Sequence, residues 1–218
     1  MANVFIIGAT GGVGRRLGRL LVQSGHRVIG LYRKPEQAAD LTEDGMSPVE
    51  GDMIEMTPDQ LADAARGADV IVFTAGAAGS GLDRTTAIDG DGPAKAIEAA
   101  GHLGITRLYL VSAFPEAGRQ RERKSGFEHY MAEKKRADVA VAASDLDWVI
   151  LRPGTLTDEE GRDTVTMGPA IMYGAIARET VARALHALIE QPSVRREIIE
   201  LTDGPTPIKE AVAALRQG

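Results

Sequence analysis

The chain has 218 residues, 44% hydrophobic and 26% charged, the balance of an ordinary soluble globular protein with length for one large domain. A net charge of −6 leaves no basic excess to hold nucleic-acid phosphates, and the lack of cysteine excludes disulfides, thiol nucleophiles and cysteine-ligated zinc. No apolar stretch approaches the roughly 18–20 residues of a membrane helix. With a strand signal starting at residue 3, no room for a signal peptide is expected, and the expectation is a cytoplasmic protein, monomer or homodimer, with no membrane or nucleic-acid partner.

Asn3–Ile7 is a β-branched and aromatic run of the kind buried on both faces of a parallel sheet. It runs into Gly8-Ala-Thr10-Gly11-Gly12-Val13-Gly14 and then into a helical stretch, Arg15–Gln23. Strand, glycine turn and helix together make a phosphate trap. Gly8 permits the tight turn, Gly11 admits a pyrophosphate to the backbone, and Gly14 lets helix and strand lie close. That placement makes the motif specific for a dinucleotide.

The second strand, Arg27–Tyr32, ends in Arg33-Lys34 with no carboxylate at its tip. An NAD site carries an acid there to hold the ribose 2′-OH, whereas an arginine suits a 2′-phosphate, so NADP is expected over NAD. A weaker third strand at Pro48–Glu50 leads to Gly51-Asp52-Met53. Asp52 is placed to meet an adenine amino group or to cap its own turn. A fourth strand, Asp69–Thr74, passes into the small residues Thr74, Ala75 and Gly76. Further strands are expected at Arg107–Ser112, Trp148–Arg152 and Glu197–Leu201, and further helices at Pro35–Leu41, Pro58–Arg66, Arg84–Leu103, Phe127–Ser144 and Glu179–Gln191. Strands alternating with helices predict an α/β Rossmann fold: a doubly wound parallel sheet of about seven strands in a single domain, residues 1–218, with a small C-terminal substrate-side portion. Irregular segments at Ala75–Asp83, Ala113–Gly126 and Thr155–Gly174 each follow a strand's carboxyl end, where such sheets bind ligands.

Tyr130 and Lys134 lie four apart on the expected Phe127–Ser144 helix and so share a face. With the glycine motif, Asp89 to Gly92, Leu110-Val-Ser112, Tyr130-Met-Ala-Glu-Lys134 and Leu151-Arg-Pro153-Gly154-Thr-Leu-Thr, the chain resembles a short-chain dehydrogenase/reductase. More closely it resembles the atypical NAD(P)H-binding branch with flavin and biliverdin reductase-like members. The resemblance implies that Lys134 holds the nicotinamide ribose and lowers the pKa of Tyr130, the proton donor. It implies that Ser112 orients a substrate carbonyl and that Pro153-Gly154 meets the nicotinamide carboxamide. The loop Thr74-Ala75-Gly76 would pass beneath the cofactor. Asp89 would orient a ribose or substrate group, or cap its helix.

The function expected is an NADP-dependent oxidoreductase that moves hydride between nicotinamide and a small quinone, flavin or carbonyl compound. The alternative is an NADP(H)-binding redox sensor without robust turnover. A nucleotide-sugar epimerase would need a substantial C-terminal substrate domain, and only Thr202–Gly218 follows the last expected strand. The basic run Arg119-Gln-Arg-Glu-Arg-Lys124 falls where the mouth of a substrate pocket is expected, as an anion attractor, a lid or a solvated loop. His26, His102, His129 and His186 show no ligand spacing, and no metal is expected.

Overall fold

The computed structural model describes residues 1–115, 117 and 125–215. In chain order the elements are β1 (Asn3–Ile7), α1 (Gly12–Gln23), β2 (Arg27–Tyr32), α2 (Glu36–Glu43), β3 (Ser47–Glu50), α3 (Pro58–Ala64) and β4 (Val70–Phe73). There follow α4 (Leu82–Thr85), a π turn (Thr86–Gly90), α5 (Asp91–Leu103), β5 (Arg107–Val111), α6 (Ser125–Ala142) and β6 (Asp147–Pro153). The chain continues through β7 (Thr155–Thr157), β8 (Thr164–Gly168), β9 (Ala175–Ala177), α7 (Arg178–Ile189), β10 (Glu197–Asp203), β11 (Thr206–Pro207) and α8 (Ile208–Ala214).

The main sheet has nine strands in the order β11-β8-β10-β6-β5-β4-β1-β2-β3. From β10 to β3 every pairing is parallel, while β8 and β11 add an antiparallel edge. Its parallel strands are the seven expected from the sequence. The strands not expected lie outside that set: β8 and β11 on the edge, and β7 with β9 as a separate parallel pair.

Period-two alternation in β1 feeds two cores, which is why the run must be apolar throughout. Val4 and Ile6 pack with Leu17 and Leu21 of α1 and with Val181, Leu185 and Leu188 of α7. Phe5 and Ile7 face the other way, onto Leu61 of α3, Ala96 and Ala100 of α5, and Ala137 and Val141 of α6. The chain moves outward from β1 through β2 and β3, then crosses to β4 and proceeds in the opposite direction. The strand order therefore reverses between β1 and β4, and a crevice opens beyond their carboxyl ends.

The expected continuous helix over Arg84–Leu103 is instead interrupted by the π turn at Thr86–Gly90. The wider turn inserts a residue into the helical ladder. Ile88, Asp89 and Gly90 are buried there.

Candidate active site

A cleft of about 790 Å³ lies at the β1/β4 switch point, within the range of small-molecule and cofactor sites. Gly8, Thr10, Gly11, Gly12 and Val13 border its floor. Gly8 has φ +92°, and a Cβ there would stand 2.6 Å from the Ala75 nitrogen, so turn and close approach both require glycine. The Gly11 amide donates to the Gly8 carbonyl at 2.9 Å and closes the loop. Gly11 caps α1 without a side-chain hydrogen bond, and the first turn of α1 carries no acid, so its amides can serve an anion. Gly14 does not border the cleft. A Cβ on it would overlap the Gly8 carbonyl oxygen, so its smallness serves helix–loop packing. Thr74 Oγ1 donates toward the Ile7 and Gly8 carbonyls at 3.1 and 3.2 Å, tying β4 to the loop, and Ala75 and Gly76 border the cleft beside it.

At the far end stand Leu31, Tyr32, Arg33, Asp52 and Met53. Arg33 Nη1 lies 3.8 Å from Asp52 Oδ2. Asp52 Oδ1 accepts the Ile54 amide at 2.9 Å, the turn-capping role weighed for it. Lys34 was expected on the cofactor and does not border the cleft. Its amide and that of Arg33 both donate to Gln37 Oε1, and Gln37 takes the place on the wall.

The opposite end gathers Ser112, Tyr130 and Lys134 on one wall. Lys134 is buried, its Nζ 3.1 Å from Asp89 Oδ1 and 3.2 Å from the Val111 carbonyl that it donates to. Asp89 is wholly buried, and its other oxygen accepts the Ala77 amide at 3.0 Å. The π turn aims this carboxylate inward, as a partner for Lys134 rather than as a helix cap.

Tyr130 departs from expectation. Its pKa is raised above the ordinary value near 10, first by burial and then by the Asp89 and Asp138 carboxylates. The Lys134 ammonium lies 5.8 Å from the ring centroid. Its charge is compensated by Asp89, so it does not pull the phenol down. The phenol is held protonated: it can give a proton but is a poor base near neutral pH.

Ser112 is buried at the end of β5, and its Oγ makes no well-aligned hydrogen bond among the described residues. Behind it, Asp138 of α6 pairs with Arg152 of β6 at 2.8 Å. Burial pushes the Asp138 carboxyl up, against the lowering effects of the Ser112 hydroxyl, Arg152 and Lys134. Pro153 and Gly154 do not border the cleft. The Gly154 amide donates to the Leu201 carbonyl at 2.9 Å, and a Cβ on it would overlap the Gly174 carbonyl, so this turn packs β7 against the sheet.

Residues not foreseen complete the lining. Phe127 sits one turn before Tyr130, with ring centroids 6.2 Å apart, a spacing that could have marked it. Arg84, Thr85 and Ile88 come from the expected Arg84–Leu103 helix, Leu156 from the irregular segment Thr155–Gly174, and Arg178 from just before the expected Glu179–Gln191 helix. The run Arg119–Lys124 lies outside the described residues.

The histidines are not all scattered. His26 and His186 approach Glu190 with potential ligand atoms within 4.8 Å of one another, and none of the three borders the cleft. A metal-bound imidazole donates its second N–H to an acceptor. Here His26 Nδ1 instead accepts the Ala2 amide at 3.2 Å, leaving Nε2 to donate to Glu190. That is the pattern of a hydrogen-bonded staple. His129 bonds Thr86 at 2.8 Å and does not border the cleft.

Glycine loop, switch point and lysine–tyrosine wall define a dinucleotide-binding Rossmann protein. Residues 8–192 match the NAD(P)H-binding family model, and the chain belongs to that family. It is 40% identical over 215 residues to an uncharacterized sugar epimerase, YhfK, of Bacillus subtilis (strain 168), covering 98% of this chain and all of that one (100%). A Bacillus halodurans structure named as an NAD-dependent epimerase/dehydratase superposes with a TM-score of 0.89 at 32% identity, over 98% of this chain and 100% of that one. ChuY, an anaerobillin reductase from Escherichia coli O157:H7, superposes with a TM-score of 0.79 at 26% identity, over 94% and 100%. Among the described residues no helix is long and apolar enough to cross a membrane.

Proposed function

We propose that the protein is an NADP(H)-dependent reductase of a small quinone, flavin or carbonyl compound. The observation that carries this reading is the polarity of the cleft. Arg33 stands at one end, the glycine loop in the middle, and Tyr130, Lys134 and Ser112 share the wall at the other. The reductase name of ChuY supports the same direction.

The residues fit a dinucleotide. The open backbone at Gly11 and Gly12 and the uncapped α1 amides suit a diphosphate, and Arg33 suits a 2′-phosphate. A bound nicotinamide supplies the hydride. The chain's own groups do the rest. Lys134, fixed by Asp89 and the Val111 carbonyl, presents a positioned ammonium to ribose hydroxyls. Tyr130, kept neutral by burial and two carboxylates, gives its proton to a substrate oxygen. Ser112, whose hydroxyl also faces the Asp138 carboxylate, orients that oxygen. Phe127 and Leu156 provide apolar cover at the substrate end.

The test is an NADPH-oxidation screen against quinones, flavins, linear tetrapyrroles and small carbonyls. Turnover with one class and slower turnover with NADH is expected. Tight NADPH binding with no turnover on any class would overturn the reductase reading in favour of a redox sensor.

A further inference from the structure

Arg178 opens α7 directly after β9, whose pairing with β7 sets Thr157 opposite Ala177. One residue beyond that register on each strand stand Asp158 and Arg178, and their side chains meet at 2.9 Å. The arm of Arg178 also lies against the glycine loop. A Cβ built on Gly12 would fall 2.6 Å from Arg178 Cδ and 3.1 Å from its Nε. Arg178 borders the cleft together with Gly11, Gly12 and Val13. Arg16 approaches Asp158 more loosely, at 4.0 Å, and gives its Nη1 to the Gly12 carbonyl at 2.7 Å without bordering the cleft. Arg178 is thus a cation of the cleft wall held beside Gly12, the first residue of α1.

We propose that Arg178 closes on the diphosphate bridge of the dinucleotide, and that Asp158 is the internal anion it leaves to do so. The proposal rests on the dinucleotide reading of the cleft. Asp158 is 73% exposed, so its ion pair is screened and exchanges readily. A diphosphate offers more charge, and oxygens spaced for the planar guanidinium fork. The α1 amides neutralise its other side. Asp158 therefore competes with the cofactor for one side chain, and the two residues of the pair act on affinity with opposite signs.

Calorimetric titration with NADPH, ADP-ribose and adenosine 2′-phosphate tests this. Arg178→Ala weakens NADPH and ADP-ribose by about 10- to 100-fold, the loss of a charge-assisted hydrogen bond, and leaves adenosine 2′-phosphate unchanged. Arg178→Lys recovers part of the loss. Asp158→Asn tightens both diphosphate ligands by about 2- to 5-fold, and does nothing in the Arg178→Ala background. Thermal unfolding of each variant checks the fold. Equal ADP-ribose affinity in wild type and Arg178→Ala would overturn this proposal alone. So would a loss on Asp158→Asn as large as that on Arg178→Ala, since the pair would then only brace the loop. A wild-type chain that binds neither NADPH nor ADP-ribose would overturn the dinucleotide reading and this proposal with it.

Discussion

Lys134 Nζ stands 3.1 Å from Asp89 Oδ1, with the lysine side chain 6% exposed and the aspartate 0%. A buried pair of this kind is costly to break from one side, because the remaining charge is left uncompensated in a poor solvent. Asp89→Ala should therefore lose about 3–5 kcal/mol of unfolding free energy in urea titration. Lys134→Met added to Asp89→Ala should regain most of it, since it removes the orphan. If the double variant is as unstable as the single, the pair is not the source of the cost.

Tyr130 shares the alkaline pH dependence with the buried Tyr109, whose pKa burial also raises. The folded Tyr130 pKa lies above the unfolded value near 10, so below that value the neutral phenol favours neither state by ionisation. Above about pH 10 the unfolded chain loses the proton and the folded chain keeps it. Stability must then fall as pH rises through the alkaline range. Tyr130→Phe should lessen that fall in denaturant titrations between about pH 9 and 11, leaving the part that Tyr109 contributes. In turnover the same variant should cost about 10²–10⁴-fold on a carbonyl substrate, the share of general acid catalysis. It should be nearly silent on a flavin, whose proton solvent can supply. No alkaline limb from Tyr130 should appear below pH 10 in the wild-type rate profile.

Legibility in the sequence followed locality. β1, β4 and β5 are buried on both faces, so their apolar runs announce themselves. The glycine loop and the Tyr130–Lys134 spacing are short-range patterns of the same kind. β8 and β11 are partly polar strands on an antiparallel edge, and β8 is placed by its pairing with β10, and β11 by its pairing with β8, rather than by their own composition. The π turn was hidden because Arg84–Leu103 has helical composition throughout. Its effect, a carboxylate turned onto Lys134, comes from a helix distant along the chain. Arg178 over Gly12 joins the two ends of the sequence in the same way. Lys34 and Pro153-Gly154 lie off the cleft lining, since a strand-end position does not say which way the next turn faces.

Arg33 should select the phosphorylated cofactor. It borders the cleft beside Leu31, Tyr32 and Met53, and Asp52 approaches it only to 3.8 Å. Arg33→Ala should weaken NADPH by about 1.5–3 kcal/mol and barely change NADH. Equal losses for both cofactors in calorimetry would refute the assignment.

Gly11 and Gly14 separate binding from folding within one loop. Gly11 has φ −80° and ψ 168°, extended backbone that valine adopts readily, and a Cβ there meets only the Gly8 carbonyl at 3.2 Å. Gly11→Val should therefore keep the fold, with a native circular dichroism spectrum, while its side chain enters the cleft and abolishes NADPH binding. At Gly14 a Cβ overlaps the Gly8 carbonyl and would lie 2.6 Å from Thr74 Oγ1, both parts of the scaffold that joins β1, α1 and β4. Gly14→Ala should cost about 1–3 kcal/mol of stability, the usual cost of overpacking, measured by urea unfolding without ligand. Binding should weaken only as far as the loop is displaced. A Gly11→Val protein with wild-type NADPH affinity would mean that the loop is a turn and not a phosphate cradle.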